Sequence, residues 1–103
     1  MLMVTLNYIP GKEIEALGIV KGSSIRTVHA GKDIMNSFKT LVGGELDSYN
    51  DMMNEARAYA TKRMEEEAIR IGADAIVNVR YASSSVAQAA AEVMAYGTAV
   101  RYR

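Results

Sequence analysis

The sequence predicts an α+β fold, a two-layer sandwich in which antiparallel strands pack on one long helix and one short helix. Apolar residues recur every three or four positions from Glu45 to Ile71, which is typical of an amphipathic helix. Apolar and polar residues then alternate from Ala75 to Ala82, and a second strand pattern runs from Glu92 to Tyr102. Because 103 residues form one domain of ordinary size, residues 1–103 are expected to share a single core.

Three elements are predicted before the long helix. A short extended segment at Met3–Leu6 is expected at the edge of the sheet. A strand follows at Lys12–Lys21, where alternation leads into a short apolar run, and Gly22 with the serines after it indicates its end. Apolar residues at helical spacing predict a short helix over Asp33–Val42, and the glycine pair Gly43–Gly44 stops it.

The long helix is the strongest pattern in the chain. Its apolar positions are Leu46, Tyr49, Met53, Ala56, Ala60, Met64, Ala68 and Ile71. A helix from Glu45 to Ile71 would be about 40 Å long, enough to cross a small sheet. Gly72 is expected to end it, because glycine accepts the positive φ that a helix needs just past its last turn. Ser83–Ser85 and the alanine-rich residues after it predict a loop or a weak hairpin connection, so the last two strands should be antiparallel.

Composition excludes several classes of function. Twelve basic side chains balance twelve acidic ones, so the basic surface of a nucleic-acid or anionic-membrane binder is not expected. The absence of cysteine excludes disulfides, thiol nucleophiles and cysteine-based metal sites. The start of the chain lacks a basic segment, and Asn7 and Pro10 break its apolar run, so neither a signal peptide nor a membrane span is expected. We therefore expect a cytoplasmic protein with no nucleic-acid or membrane partner.

Four short motifs follow one another along the chain. They are GIVKG at Gly18–Gly22, the pair Gly43–Gly44 with Tyr49 after it, GADAIV at Gly72–Val77 and YGTAV at Tyr96–Val100. Together they resemble the YbjQ-like family of small bacterial and archaeal proteins, over nearly the whole chain. The resemblance implies a dodecin-like subunit that forms cyclic rings, either a pentamer or a stack of two, and the family is labelled heavy-metal-binding. The chain departs from the Arg- and Asn-rich family pattern at Val28–Lys32.

A metal is the only cofactor that the resemblance suggests, and His29 with Asp33 are the candidate ligands. Soft metals prefer thiolate, thioether or imidazole donors, and His29 is the single histidine. The two residues would share a face if the short helix begins early enough, but two ligands do not close a site. A ring could bring one His29 from each subunit to its axis; otherwise His29 is a surface histidine near a helix start. The methionines are better explained as core residues, since Met53 and Met64 lie on the apolar stripe of the long helix.

No catalytic residues are predicted. Ser83–Ser85 is not accompanied by a GxSxG or SxxK pattern that would activate a serine. The pair Gly43–Gly44 could bind an anion at the start of the long helix, but the acidic residues Glu45 and Asp47 already occupy that positive end. A helix–helix corner explains the glycines better. We therefore expect a protein that is not an enzyme.

The last strand predicts assembly, because both of its faces are largely apolar. A long helix can cover one face only, so the face with Met94 and Tyr96 would be left in water unless a neighbouring chain covers it. Gly97 removes a side chain from the other face and permits close approach of the helix or of another subunit. The sequence thus predicts an obligate cyclic homo-oligomer, with assembly residues Met94, Tyr96, Gly97, Val100 and Tyr102.

Two functional classes fit these observations. One is an oligomeric binding or storage module whose ring creates pockets for a small molecule or a metal between subunits. The other is a purely structural or interaction scaffold without a ligand. The first is preferred because rings of dodecin-like subunits create shared cavities, which is an analogy at the level of the fold.

Overall fold

The computed structural model describes residues 1–27, 44–87 and 90–103, and for residues 44–47 it describes the backbone alone. Its strands are β1 (Leu2–Met3), β2 (Ile14–Thr27), β3 (Ala75–Ala87) and β4 (Ala90–Tyr102), and its helix α1 is Gly44–Arg70. One helix packed on one sheet is the predicted α+β sandwich, so the fold class is confirmed. The predicted short helix at Asp33–Val42 lies outside the described residues.

The sheet has four strands in the order β1-β3-β4-β2. Strand β4 pairs antiparallel with β3 on one side and with β2 on the other, so the predicted antiparallel pairing of the last two strands is confirmed. Strand β1 adds a parallel pair at the edge, with Leu2 opposite Ala75, which makes the sheet mixed. Because β2 and β3 are each antiparallel to β4, they run in the same direction.

Helix α1 packs a face of small residues on β2 and β4. Its alanines Ala56, Ala60 and Ala68 have no exposed surface, and they join one core cluster with Met64 of the same helix. The sheet contributes Val20, Ile76, Val79, Val93, Ala95 and Ala99 to that cluster. Small helix residues let the helix backbone lie close to the sheet, and this layer is the main core of the protein.

The helix comes closest to the sheet at Gly22. A Cβ atom on Gly22 would collide with Ala60 O and Met64 N, and it would lie 2.7 Å from Arg63 Cβ. The prediction that β2 ends near Lys21 is therefore wrong, because Gly22 leaves room for the helix and the strand continues through it to Thr27.

The end of α1 follows the predicted pattern. Gly72 has a φ of 82°, its N–H donates to Ile69 O at 3.0 Å, and the Ala73 N–H donates to Ala68 O at 3.0 Å. These two bonds form a Schellman motif, which satisfies carbonyls left free at a helix end. Asp74 then links the turn to β4, since its Oδ2 accepts from the Tyr102 N–H at 2.8 Å.

The opposite face of the sheet has a smaller core of its own. Ile9, from the segment between β1 and β2, packs there with Ala75, Val77 and Val100, and Val100 is only 1% exposed. The expectation that this face has no cover within the chain is therefore wrong for Val100. The sequence did not indicate it, because the cover is an irregular segment rather than a second helix.

A bulge in β3 lies next to Gly97. The pairing register of β3 with β4 shifts between Val77 and Arg80. Asn78, within this bulge, has a φ of 55°, a conformation that asparagine tolerates better than most residues. The Asn78 N–H donates to Leu6 O at 2.8 Å, so the bulge is tied to the chain just after β1. A Cβ on Gly97 would lie 2.8 Å from Ile76 Cγ2 and 2.9 Å from Val77 O. Within the chain the close approach at Gly97 is made by β3, so the predicted approach of the helix at this position is wrong.

Of the two connections predicted at Ser83–Ser85, the loop is wrong and the hairpin is found, because these residues belong to β3 and pair with Ala91–Val93 of β4. Serine and alanine have weak strand preference, so composition alone favoured a loop there. The backbone ladder with β4 holds the segment extended, although every side chain from Tyr81 to Ala87 is exposed.

Candidate functional site

The described residues do not contain a site that fits a heavy metal. The candidate ligands His29 and Asp33 both lie outside the described ranges. Within those ranges no group of three or more His, Cys, Asp or Glu residues could hold a metal ion. The thioethers are also poorly placed, because Met64 is fully buried and Met52 is 8% exposed. Met64 lies in the main core and Met53 packs against it, as the sequence predicts, whereas Met52 lines a cleft beside β2.

Heavy-metal binding is expected to be absent or to depend on His29. Calorimetric titration with zinc, copper and nickel, together with elemental analysis of the purified protein, measures this directly. If the wild type binds one of these ions, His29→Ala should abolish binding, because imidazole is the one strong nitrogen donor among the side chains. Glu66→Gln is a suitable control, since Glu66 is exposed and remote from position 29 in sequence. Micromolar binding that survives His29→Ala would contradict this prediction.

A cleft lies between α1 and the end of β2. Its volume is about 320 Å³, and it is lined by Arg26, Thr27, Ser48, Asp51, Met52 and Glu55. The lining combines one cation with two carboxylates, and the carboxylates lie one turn apart on α1. No motif or spacing in the sequence predicts this site.

Arg26 has an unusual environment at the cleft. Its guanidinium stacks on Tyr59, with Cζ 4.2 Å from the ring centre. Its Nη1 lies 3.6 Å from Glu55 Oε1, too far for a good hydrogen bond. Its Nε is buried and has no hydrogen-bond partner. The side chain is thus held in position but lacks an acceptor on Nε. The alternation of β2 was the available signal, since Val20, Gly22 and Ser24 are all buried on the face that carries Arg26.

The predicted assembly residues do not form one surface. Met94 and Tyr96 lie on the sheet face away from α1, with Met94 half-buried and Tyr96 39% exposed. Val100 is buried by the chain itself, Tyr102 packs beside it, and Lys12 Nζ lies 5.0 Å from the Tyr102 ring centre. Gly97 faces the bulge of β3.

Other exposed apolar residues accompany Tyr96 on that face. Ile19 and Ile25 of β2 are 79% and 63% exposed, and they lie opposite Thr98 and Glu92 of β4. Neither isoleucine was predicted to belong to an uncovered face, because Ile25 lies beyond the predicted end of β2 and assembly was predicted from the pattern of β4 alone. Part of this face is therefore an uncovered apolar surface in the single chain.

Two strand edges are unpaired in the described part of the chain. The edge of β2 away from β4 has no strand beside it, and the edge of β3 has none beyond the short segment that follows β1. The far half of β3, Tyr81–Ala87, is also exposed on both faces. The chain measures 53 × 23 × 17 Å with a radius of gyration of 16.8 Å, whereas a compact chain of this length has about 13 Å. Long exposed edges of this kind pair readily with another chain.

The described residues offer no arrangement for nucleophilic catalysis. The exposed Ser83–Ser85 lies along a strand, and no histidine is present in the described ranges. Among these same residues no helix has both the length and the apolar composition of a membrane span.

Comparison with known proteins assigns the whole chain to one family. Residues 1–103 match the family model for YbjQ, described as "Putative heavy-metal-binding". A UPF0145 protein of Alkaliphilus metalliredigens is 64% identical over 99% of this chain and 99% of its own length. A UPF0145 protein of Thermus thermophilus is 53% identical over 98% of this chain and 90% of its own. These names state no enzymatic activity.

A solved structure has a similar fold. It is the crystal structure of a protein of unknown function, assigned to the DUF74 family, from Pediococcus pentosaceus. The TM-score is 0.68, and the match covers 100% of this chain and 98% of the other at 17% sequence identity. At this identity the likeness concerns the fold alone.

Proposed function

Because the chain belongs to the YbjQ family, we propose that it is a non-enzymatic binding module that forms a cyclic homo-oligomer and holds a small ligand between its subunits. This proposal is based mainly on two strand edges that have no neighbouring strand in the described part of the chain, one on β2 and one on the far half of β3. Each edge supplies backbone donors and acceptors that another strand can use.

The direction of the strands suits a head-to-tail arrangement. β2 and β3 run the same way within one sheet, and rotation about a ring axis keeps that direction in every copy. The β2 edge of one subunit can then pair in parallel with the β3 edge of the next. Such a heterologous interface produces a closed ring when the rotation closes. A pentamer, or a stack of two, is the form that the family resemblance favours.

The position of α1 favours the same arrangement. The core beneath the helix is built on β2 and β4, and Gly22 places the helix directly on β2. On the same side of the sheet, Tyr81 reaches the helix through a 2.8 Å hydrogen bond to Thr61, and Ser83 and Ser85 beyond it are exposed. If a neighbour's β2 adjoins β3, the neighbour's helix covers these serines. The space enclosed between the two chains is the proposed ligand pocket.

Assembly is tested by the mass of the native protein. We expect native mass spectrometry and light scattering to give a multiple of 11.2 kDa and to retain any ligand held between subunits. The double variant Ser83→Lys/Ser85→Lys should shift the mass towards that of one chain, because lysines on an edge strand oppose pairing with another strand. Circular dichroism should change little, since both serines are exposed in the single chain.

Asn50→Lys is the matched control, because Asn50 is an exposed residue of α1 on which the edge pairing does not depend. A folded wild-type species of a single chain at micromolar concentration would contradict the ring. A ring that carries no ligand and acquires none from cell extract would instead support the scaffold role.

A further inference from the structure

Arg26 lacks the hydrogen-bond acceptor that a partly buried guanidinium requires. Its Nε is buried without a partner, and the Glu55 carboxylate at 3.6 Å contributes charge rather than a good hydrogen bond. Buried donors in proteins are almost always satisfied by protein, water or ligand. Stacking on Tyr59 fixes the plane of the guanidinium, so its N–H groups are oriented before an acceptor arrives. The side chain is 30% exposed and Nε is not part of that surface, so a ligand carboxylate would bond the terminal Nη groups, which it matches with two parallel hydrogen bonds.

The other charges of the cleft decide which acceptor fits. Asp51 and Glu55 line the same cavity, so the site carries two negative charges against the one positive charge of Arg26. A free oxyanion would be repelled by this excess. A ligand that carries an ammonium group beside its carboxylate would instead be attracted by both parts of the site. We propose that the cleft between α1 and β2 binds a small zwitterion of amino-acid chemistry, with its carboxylate on Arg26 and its ammonium group on Asp51 and Glu55.

The size of the cleft agrees with such a ligand. Its volume of about 320 Å³ is at the lower end of the range for small-molecule sites. Met52 lies between the two carboxylates in sequence and lines the same cavity, so the wall includes an apolar, adaptable thioether side chain. An amino acid with an aliphatic side chain can contact this wall while its charged groups face Arg26 and the acids.

This cleft lies within one chain, so the proposal does not rest on ring formation or on a pocket between subunits. The native mass of each sample, measured beside its binding, keeps the two proposals distinguishable. A wild-type protein that is a single chain yet binds L-leucine would overturn only the proposed function, and a wild-type ring that binds no L-leucine would overturn only the zwitterion site.

The test uses three probes that share one aliphatic skeleton. They are L-leucine, isocaproate, which lacks the ammonium group, and isoamylamine, which lacks the carboxylate. Saturation-transfer NMR titrations of the full chain measure their dissociation constants and suit a protein of any assembly size. L-leucine is expected to bind, and each truncated probe should bind about tenfold more weakly or worse, because each loses one charge-assisted interaction.

Variants then assign the two ends of the ligand. Arg26→Lys keeps the charge but removes the fork, and it should weaken L-leucine binding about tenfold while leaving isoamylamine unaffected. Asp51→Asn should weaken L-leucine and isoamylamine but not isocaproate. Glu66→Gln is the matched control, because Glu66 is an exposed acid on α1 that does not line the cleft, and its binding should equal that of wild type.

Three results would overturn the proposal. One is the absence of saturable L-leucine binding at millimolar concentration. Another is isocaproate binding as tightly as L-leucine, which would show that the acids of the cleft play no part. The third is an equal loss of binding in Glu66→Gln, which would indicate nonspecific attraction to the acidic helix.

Discussion

Replacing Gly22 with valine is expected to lower the free energy of unfolding by about 3 kcal/mol or more. A side chain at this position points at the backbone of α1, where its first carbon already collides with Ala60 O and Met64 N. Backbone atoms inside a helix cannot move aside individually, so the helix must lift from β2 and expose the small-residue core. Urea unfolding followed by circular dichroism measures the loss.

Ser23→Val is the matched control for Gly22→Val. It adds a β-branched side chain to the same strand, but on the opposite face, where Ser23 is half-buried. Valine suits a strand, so the stability of this variant should stay close to that of wild type. A Gly22→Val protein as stable as Ser23→Val would show that α1 does not lie on β2 as described.

Gly97→Val is expected to cost about 1–3 kcal/mol by overpacking. The added side chain meets Ile76 Cγ2 at 2.8 Å and Val77 O at 2.9 Å, on the strand that carries the bulge. The substitution should therefore disturb the β3–β4 register and lower the stability of the single chain more than it weakens assembly. Thermal unfolding and native mass, measured at the same protein concentrations, separate the two effects, because a defect within the chain lowers the midpoint at every concentration whereas an assembly defect alone lowers the native mass.

Thr98→Val is the control for Gly97→Val, since it is nearly isosteric and lies at the adjacent half-buried position of β4. Its midpoint should change little. If Gly97→Val alters only the native mass and not the unfolding of the chain, the contact with β3 has no role in folding and the glycine serves the interface instead.

Periodic segments could be predicted from the sequence, and irregular contacts could not. The helix from Glu45 to Ile71 was located to within one residue at each end, and Gly72 was correctly assigned as its stop, because both follow local rules of spacing and backbone conformation. The same local rules failed at Gly22, where glycine serves a contact with a distant helix. When a residue is required by a tertiary contact, the neighbouring sequence does not reveal that requirement.

The candidate site, too, could be predicted from the sequence only in part. His29 was singled out by its chemistry, which is visible in composition, whereas Arg26 is one of twelve basic residues. The role of Arg26 depends on the Tyr59 side chain, the Glu55 carboxylate and the cavity beside α1. No rule of sequence spacing predicts that these helix residues lie next to Arg26. The burial of Val100 by Ile9 was missed for the same reason.

The central position of β4 affects the order in which the chain can fold. Every described pairing of β2 is with β4, from Ile14 with Tyr102 to Thr27 with Ala90. Strand β1 likewise pairs with β3, which is synthesised much later. During synthesis β2 therefore has no sheet partner until nearly all of the domain has been made. Contacts so distant in sequence close large loops and slow folding. The nascent chain should consequently rely on α1, whose backbone hydrogen bonds are local, as its first stable structure, and should remain sensitive to aggregation until β4 emerges.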